Sequence, residues 1–192
     1  MLVLAYGQPK HITLFGLGGG SLLRALHHVL PECFFNVFEL RQKVVDIAIN
    51  YFEIPIDERV RITVNDGLVE ASKGESQTSD IIFSDMYNAH SIVQEQLQNE
   101  FLGDCSRILT DRGWLVVNIH SLPKDEDTFF KCLNAHFPTV LMSSNSGGNT
   151  ILFASKCLPT EVAINNLRIE TIEHMLGQRF TPMLSRIKPY QH

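Results

Sequence analysis

Short apolar runs alternate with longer amphipathic stretches along most of the chain. Residues 11–16 read as a strand, and a glycine cluster, Gly16 to Gly20, follows at once. Residues 21–30 then carry Leu22, Leu26 and Val29 on one helical face, with Leu23 and Leu30 beside them, and Pro31 marks the stop. Further strands are predicted at 34–39, 59–64, 80–84, 114–120, 139–143 and 150–156. Helices are predicted at 42–52, with Val44, Ile47, Ala48 and Tyr51 at helical spacing, and at 91–109, 125–137 and 160–176. Asp111-Arg112-Gly113 reads as a turn before the fifth strand, and the polar run Ser144–Asn149 as the turn of a hairpin. Such alternation predicts an α/β fold: a mostly parallel, seven-stranded sheet with helices on both faces and a terminal antiparallel hairpin. Two parts are expected, an α/β domain over 1–158 and a C-terminal helical arm over 159–192.

Composition narrows the function. The 192 residues are 44% hydrophobic and 19% charged, enough for a sizeable core. A formal net charge of −5 disfavours nonspecific nucleic-acid binding. The apolar start, MLVLAY, is too short for a signal segment, and no stretch is long enough to span a membrane. Cys33, Cys105, Cys132 and Cys157 have no metal-ligand spacing and read as buried free thiols. No paired-histidine motif occurs either, so no metal is expected; His27, His28, His90 and His120 read as structural. The expectation is a cytoplasmic protein.

Four places carry candidate chemistry. The loop Gly16-Leu17-Gly18-Gly19-Gly20-Ser21 joins a strand to a helix. There glycines let a ligand approach the backbone, and the helix presents its positive end. Gly16, Gly18 and Gly20 are its expected cofactor contacts. Glu39 ends the second strand about 20 residues on, where a carboxylate can accept from ribose hydroxyls. Asp66 and Gly67 follow the third strand, placed either to meet an adenine amino group or to cap the next helix. Asp85 ends the fourth strand, where it faces the reacting end of such a ligand and can orient an amine and take its proton. Tyr87 can wall the pocket or stack on a cation.

The blocks HITLFGLGGGSLLRALHHVLPE, NVFEL, VRITVNDG and DIIFSDMYNAH, followed by LTDRGWLVVNIHS and SGGNTILFASK, resemble the spermidine/spermine synthase family in order and spacing. The resemblance covers residues 5–157. It implies a Rossmann-like methyltransferase fold. It also implies an aminopropyl group passing from decarboxylated S-adenosylmethionine to an amine acceptor, and a homodimer. Gly16, Gly18 and Gly20 would then form the donor loop, Glu39 would hold ribose, Asp66 the adenine end, and Asp85 would be the catalytic acid–base residue. Three positions depart from the family pattern: Gly19 and Asn88 stand where it has acids, as does Arg41 two residues after Glu39. The family's preceding small β-domain is also expected to be absent. Methyl transfer from S-adenosylmethionine is the nearest alternative, since Gly19 and Arg41 suit a donor that keeps its carboxylate. A nicotinamide dehydrogenase would share Gly16, Gly18 and Glu39, but its third fingerprint position is Ser21 here. A non-catalytic family member is the remaining alternative.

Overall fold

The computed structural model describes residues 2–87, 94–119, 122–123, 125–144 and 150–190. Asn88, His90, His120 and most of the hairpin turn lie outside the described residues. Eight strands form one sheet: β1 (His11–Phe15), β2 (Phe34–Glu39), β3 (Val60–Val64), β4 (Ser79–Ser84), β5 (Leu109–Ile119), β6 (Thr139–Ser144), β7 (Thr150–Ser155) and β8 (Lys188–Pro189). Their order is β3-β2-β1-β4-β5-β7-β6-β8. The strands from β3 through β5 pair in parallel, and β7 inserts antiparallel between β5 and β6. The strand beyond the seven expected is β8, which lies in the segment read as a helical arm and pairs antiparallel with β6.

The apolar runs are continuous because the sheet is covered on both faces. Along β4, Ile81 and Phe83 enter one core while Ile82 enters the other; along β5, Trp114 and Val116 oppose Leu115 and Val117 in the same way. One core lies under α3 (Gly67–Lys73), α4 (Asn99–Ile108) and α5 (Glu126–His136). The other gathers Leu23 and Leu26 of α1 (Ser21–Val29), Ala48 of α2 (Gln42–Phe52), Ile172 of α6 (Asn166–Leu176), and Val3 and Leu4 of a short 3-10 helix, Leu2–Ala5. Arg168 of α6 ties that N-terminal turn down by donating to the Leu4 carbonyl at 2.9 Å.

Several elements differ from the sequence reading. The α1 face is Leu23, Leu26 and Val29, with Leu22 only half-buried. The α2 helix buries Val45 and Ala48, whereas Ile47 is 48% and Tyr51 78% exposed. Lying near the β3 edge of the sheet, α2 covers it with a narrow stripe, so of the four positions read as its face Ala48 is buried and Val44 half-buried while the other two face outward. Asp111-Arg112-Gly113 is not a turn: β5 runs through it, and the register with β4 jumps from Ser79↔Leu109 to Ile81↔Trp114. Thr110 and Asp80 hold that bulge with a 3.2 Å hydrogen bond. Over its described residues, from 94 on, the helix expected at 91–109 is a 3-10 turn, Gln94–Leu97, followed by α4, the two parted by extended backbone at Gln98. The last long helix starts at Asn166, where the Asn165 side chain accepts from the Arg168 N–H, not near 160.

The thiols follow the packing. Cys33, Cys105 and Cys157 are buried and Cys132 is half-buried, all without disulfides. Burial, reinforced by nearby Asp80, pushes the Cys33 thiol up to about 12, and burial raises Cys105 well above its usual value. Only the thiolate attacks a disulfide reagent. In the native protein at pH 8, Ellman's reagent is therefore expected to modify Cys132 first and leave the other three until denaturant is added. Rapid modification of two or more thiols would contradict this packing.

Candidate functional site

The C-terminal ends of β1, β2, β3 and β4 converge on a cavity of about 360 Å³. Gly16, Gly18, Glu39, Asp66, Gly67, Asp85 and Tyr87 line it together. In an open α/β sheet this is where ligands bind. Gly20 sits apart, buried at the N-terminus of α1 in the left-handed region (φ 72°), where a methyl group would strike Ile54. Its role is to let the loop turn into the helix, not to line the cavity.

Gly16 has a sharper constraint. Its φ is +98°, and a Cβ there would fall against the backbone carbonyl of Asp85. Its N–H donates to the Phe38 carbonyl at 2.8 Å, while the Asp85 N–H donates to the Phe15 carbonyl at 2.9 Å. The parallel ladder thus continues one step beyond the strands and sets the loop against Asp85. Gly16→Ala is expected to destabilise the fold by about 2 kcal/mol or more, from strained φ plus a backbone clash. Urea unfolding measures this, and an unchanged midpoint would refute it.

Glu39 is 6% exposed although it is an acid. Its Oε2 accepts the Leu17 N–H at 3.1 Å and its Oε1 the Arg41 N–H, also at 3.1 Å; the Arg41 guanidinium lies 3.6 Å away. A carboxylate has about four acceptor positions, so capacity remains for a diol. Asp66 Oδ1 accepts the Leu68 N–H at 2.9 Å, so it does cap α3 while lining the cavity. The capping geometry and the ligand-facing position coexist.

Asp85 is exposed at the end of β4, and its Oδ1 accepts from Asn118 Nδ2 at 2.9 Å. Asn118 Oδ1 is buried and has no hydrogen-bond partner among the described residues. Burial and then the Asp85 charge raise the Tyr87 hydroxyl, so it remains a protonated donor at neutral pH. Sequence reasoning missed Asn118, Phe38, Leu68, Met86 and Glu95 around this site. Asn118 had a discernible signal as a lone polar residue ending an apolar strand, whereas Glu95 enters from a short turn no periodicity marks. Among the described residues no group of three or more His, Cys, Asp and Glu is arranged to hold a metal. No helix among them is long and apolar enough to cross a membrane. His27 pairs with Asp57 at 2.7 Å and His28 reaches the Met175 carbonyl at 3.3 Å, both away from the cavity.

A glycine turn, a buried acid ending β2 and an acid ending β4 stand around one cavity in a methyltransferase-like Rossmann fold. Solved structures agree on the fold. A probable spermidine synthase from Corynebacterium glutamicum superposes with a TM-score of 0.71 at 24% identity, covering 88% of this chain and 63% of that one. A spermidine synthase in complex with the transition state analogue AdoDATO gives 0.75 at 18% identity, with 96% and 68% covered. No family model matches the chain. A polyamine aminopropyltransferase of Neisseria meningitidis is 30% identical over 192 residues, which cover 97% of this chain and 73% of that protein. The eEF1A lysine and N-terminal methyltransferase of Xenopus laevis is 31% identical over 133 residues, 64% of this chain and 19% of that protein. This chain belongs to the polyamine aminopropyltransferase family.

Proposed function

We propose that this chain transfers an aminopropyl group from decarboxylated S-adenosylmethionine to an amine. The observation that carries the reading is the shared cavity of Gly16, Glu39, Asp66 and Asp85 in a chain of this family. Glu39 holds the ribose diol, Asp66 and Gly67 meet the adenine end, and the Gly16–Gly18 turn lies along the donor's middle. The sulfonium then points toward Asp85 and Tyr87. The amine nitrogen attacks the aminopropyl methylene carbon bonded to sulfur. The carbon–sulfur bond breaks, its electron pair stays on sulfur, and neutral methylthioadenosine leaves. The new ammonium loses one proton, for which Asp85 is the nearest base. Much of the rate comes from alignment, which a carboxylate fixed by Asn118 supplies.

Methyl transfer is the second reading, supported by Gly19 where the family has an acid and by the methyltransferase relative. Arg41 supports it less than the sequence implied, since its charge lies beside Glu39. Calorimetric titration with decarboxylated S-adenosylmethionine, S-adenosylmethionine, methylthioadenosine and NAD tests both. The decarboxylated donor and methylthioadenosine are expected to bind and NAD not. Tighter binding of S-adenosylmethionine would favour methyl transfer, and preference for NAD would overturn the nucleoside-sulfur reading.

A further inference from the structure

The two edges of the sheet are built differently. At one edge stands β8, two residues long, and those residues are Lys188 and Pro189. A short strand carrying lysine and proline closes an edge to further pairing. At the other edge stands β3, Val60-Arg61-Ile62-Thr63-Val64. Four of its five residues are β-branched, and none is proline or glycine. Val64 is 40% exposed, and Val60 and Ile62 are only half-buried, so apolar surface on this strand still faces water.

The ladder with β2 fixes which backbone groups of β3 are free. The Arg59 carbonyl accepts the Phe35 N–H at 2.7 Å, and the Asn65 N–H donates to the Glu39 carbonyl at 3.1 Å. Odd-numbered residues therefore face β2, and by alternation Val60, Ile62 and Val64 turn their N–H and C=O groups to the open edge. The Val60 N–H is already held by the Asp57 carbonyl at 3.1 Å. The Ile62 and Val64 N–H groups and the Val60 and Ile62 carbonyls have no partner among the described residues.

These four groups match a second copy of themselves. Two such strands, antiparallel about a twofold axis at Ile62, set Ile62 against the partner's Ile62, and the pair exchanges both bonds. The Val64 N–H then reaches the partner's Val60 carbonyl, twice by symmetry. On the side chains, Val60 falls opposite the partner's Val64 and Arg61 opposite the partner's Thr63. No like charges stand directly opposite, and the two Arg61 side chains are diagonal neighbours. We infer that β3 pairs with β3 of a second copy, making one sheet that runs through two molecules. A strand that matches itself in both bonds and side chains points to this occupant in preference to an unrelated peptide.

Sedimentation velocity between about 10 and 500 µM is expected to show a reversible dimer, as a small, transient interface does. Ile62→Pro removes an N–H that faces the edge and none that holds β2, a position where an edge strand tolerates proline. It is expected to weaken dimerisation at least about tenfold, since the central pair of bonds is lost. Val64→Lys is expected to act in the same direction should the first variant not fold by circular dichroism. Arg61 and the partner's Thr63 form a non-hydrogen-bonded pair, with Cα atoms about 4.5 Å apart, within disulfide reach. Arg61→Cys/Thr63→Cys is therefore expected to give a covalent dimer with oxidised glutathione, in higher yield than Arg61→Cys alone. A monomer throughout the concentration range overturns the inference, as does a dimer that a folded variant leaves equally tight. Equal cross-linking by the single and double cysteine variants overturns it too.

Discussion

Replacing Glu39 with alanine is expected to weaken binding of methylthioadenosine on the order of a hundredfold. Hydrogen bonds to a charged acceptor are worth about 1.5–3 kcal/mol, and a ribose diol forms two with one carboxylate. Glu39 also holds the Leu17 and Arg41 N–H groups, so its loss frees both flanks of the cavity at once. Glu39→Gln separates the two roles. The amide keeps one acceptor oxygen but turns an N–H toward donors, so an intermediate loss is expected. Titration of the three proteins, with circular dichroism to confirm folding, gives the ranking. Undiminished affinity in Glu39→Ala would remove ribose from this end of the cavity.

The second large effect falls on turnover. Asp85→Asn keeps the shape of the side chain and can still accept from Asn118, yet it cannot take a proton. A positioned base contributes about 10²–10⁴-fold, so kcat for methylthioadenosine release should fall by that factor. Nucleoside affinity should change little, because on the proposed reading Glu39 and Asp66 hold the other end. A fall in affinity without a fall in kcat would make Asp85 a binding residue only. Equal activity in both proteins would exclude it as the base, and no activity in either would favour a non-catalytic family member.

Much of this site was legible before the structure because its parts sit at strand ends. A parallel strand buried on both faces announces itself as an unbroken apolar run, so the residue that ends the run is placed almost by counting. Gly16 and Asp85 follow strands of that kind, whereas Glu39 and Asp66 were placed by the ends of strands whose burial alternates or is partial. What was not legible depended on neighbours far along the chain. The exposed side of α2 follows from how little sheet lies beneath it, not from its own period. The bulge at 111–113 is set by Asp80, and local glycine chemistry imitates a turn there. β8 is two residues long, and only the β6 edge gives it a partner. Asn118 is a single polar residue whose meaning depends on Asp85, which is 33 positions earlier.

The contact between Gly16 and the Asp85 carbonyl has an evolutionary consequence. Gly16 extends the pairing of β1 with β2 and Asp85 the pairing of β4 with β1, so the turn and the acid are held against each other through one strand and neither can drift without displacing the other. Ile151 and Phe153, by contrast, line a second cavity bordered by Asp85 from β7, within the antiparallel hairpin. Substitutions there leave the ladder untouched. Related chains can therefore vary the lining of that second cavity while the contact between Gly16 and Asp85 stays fixed.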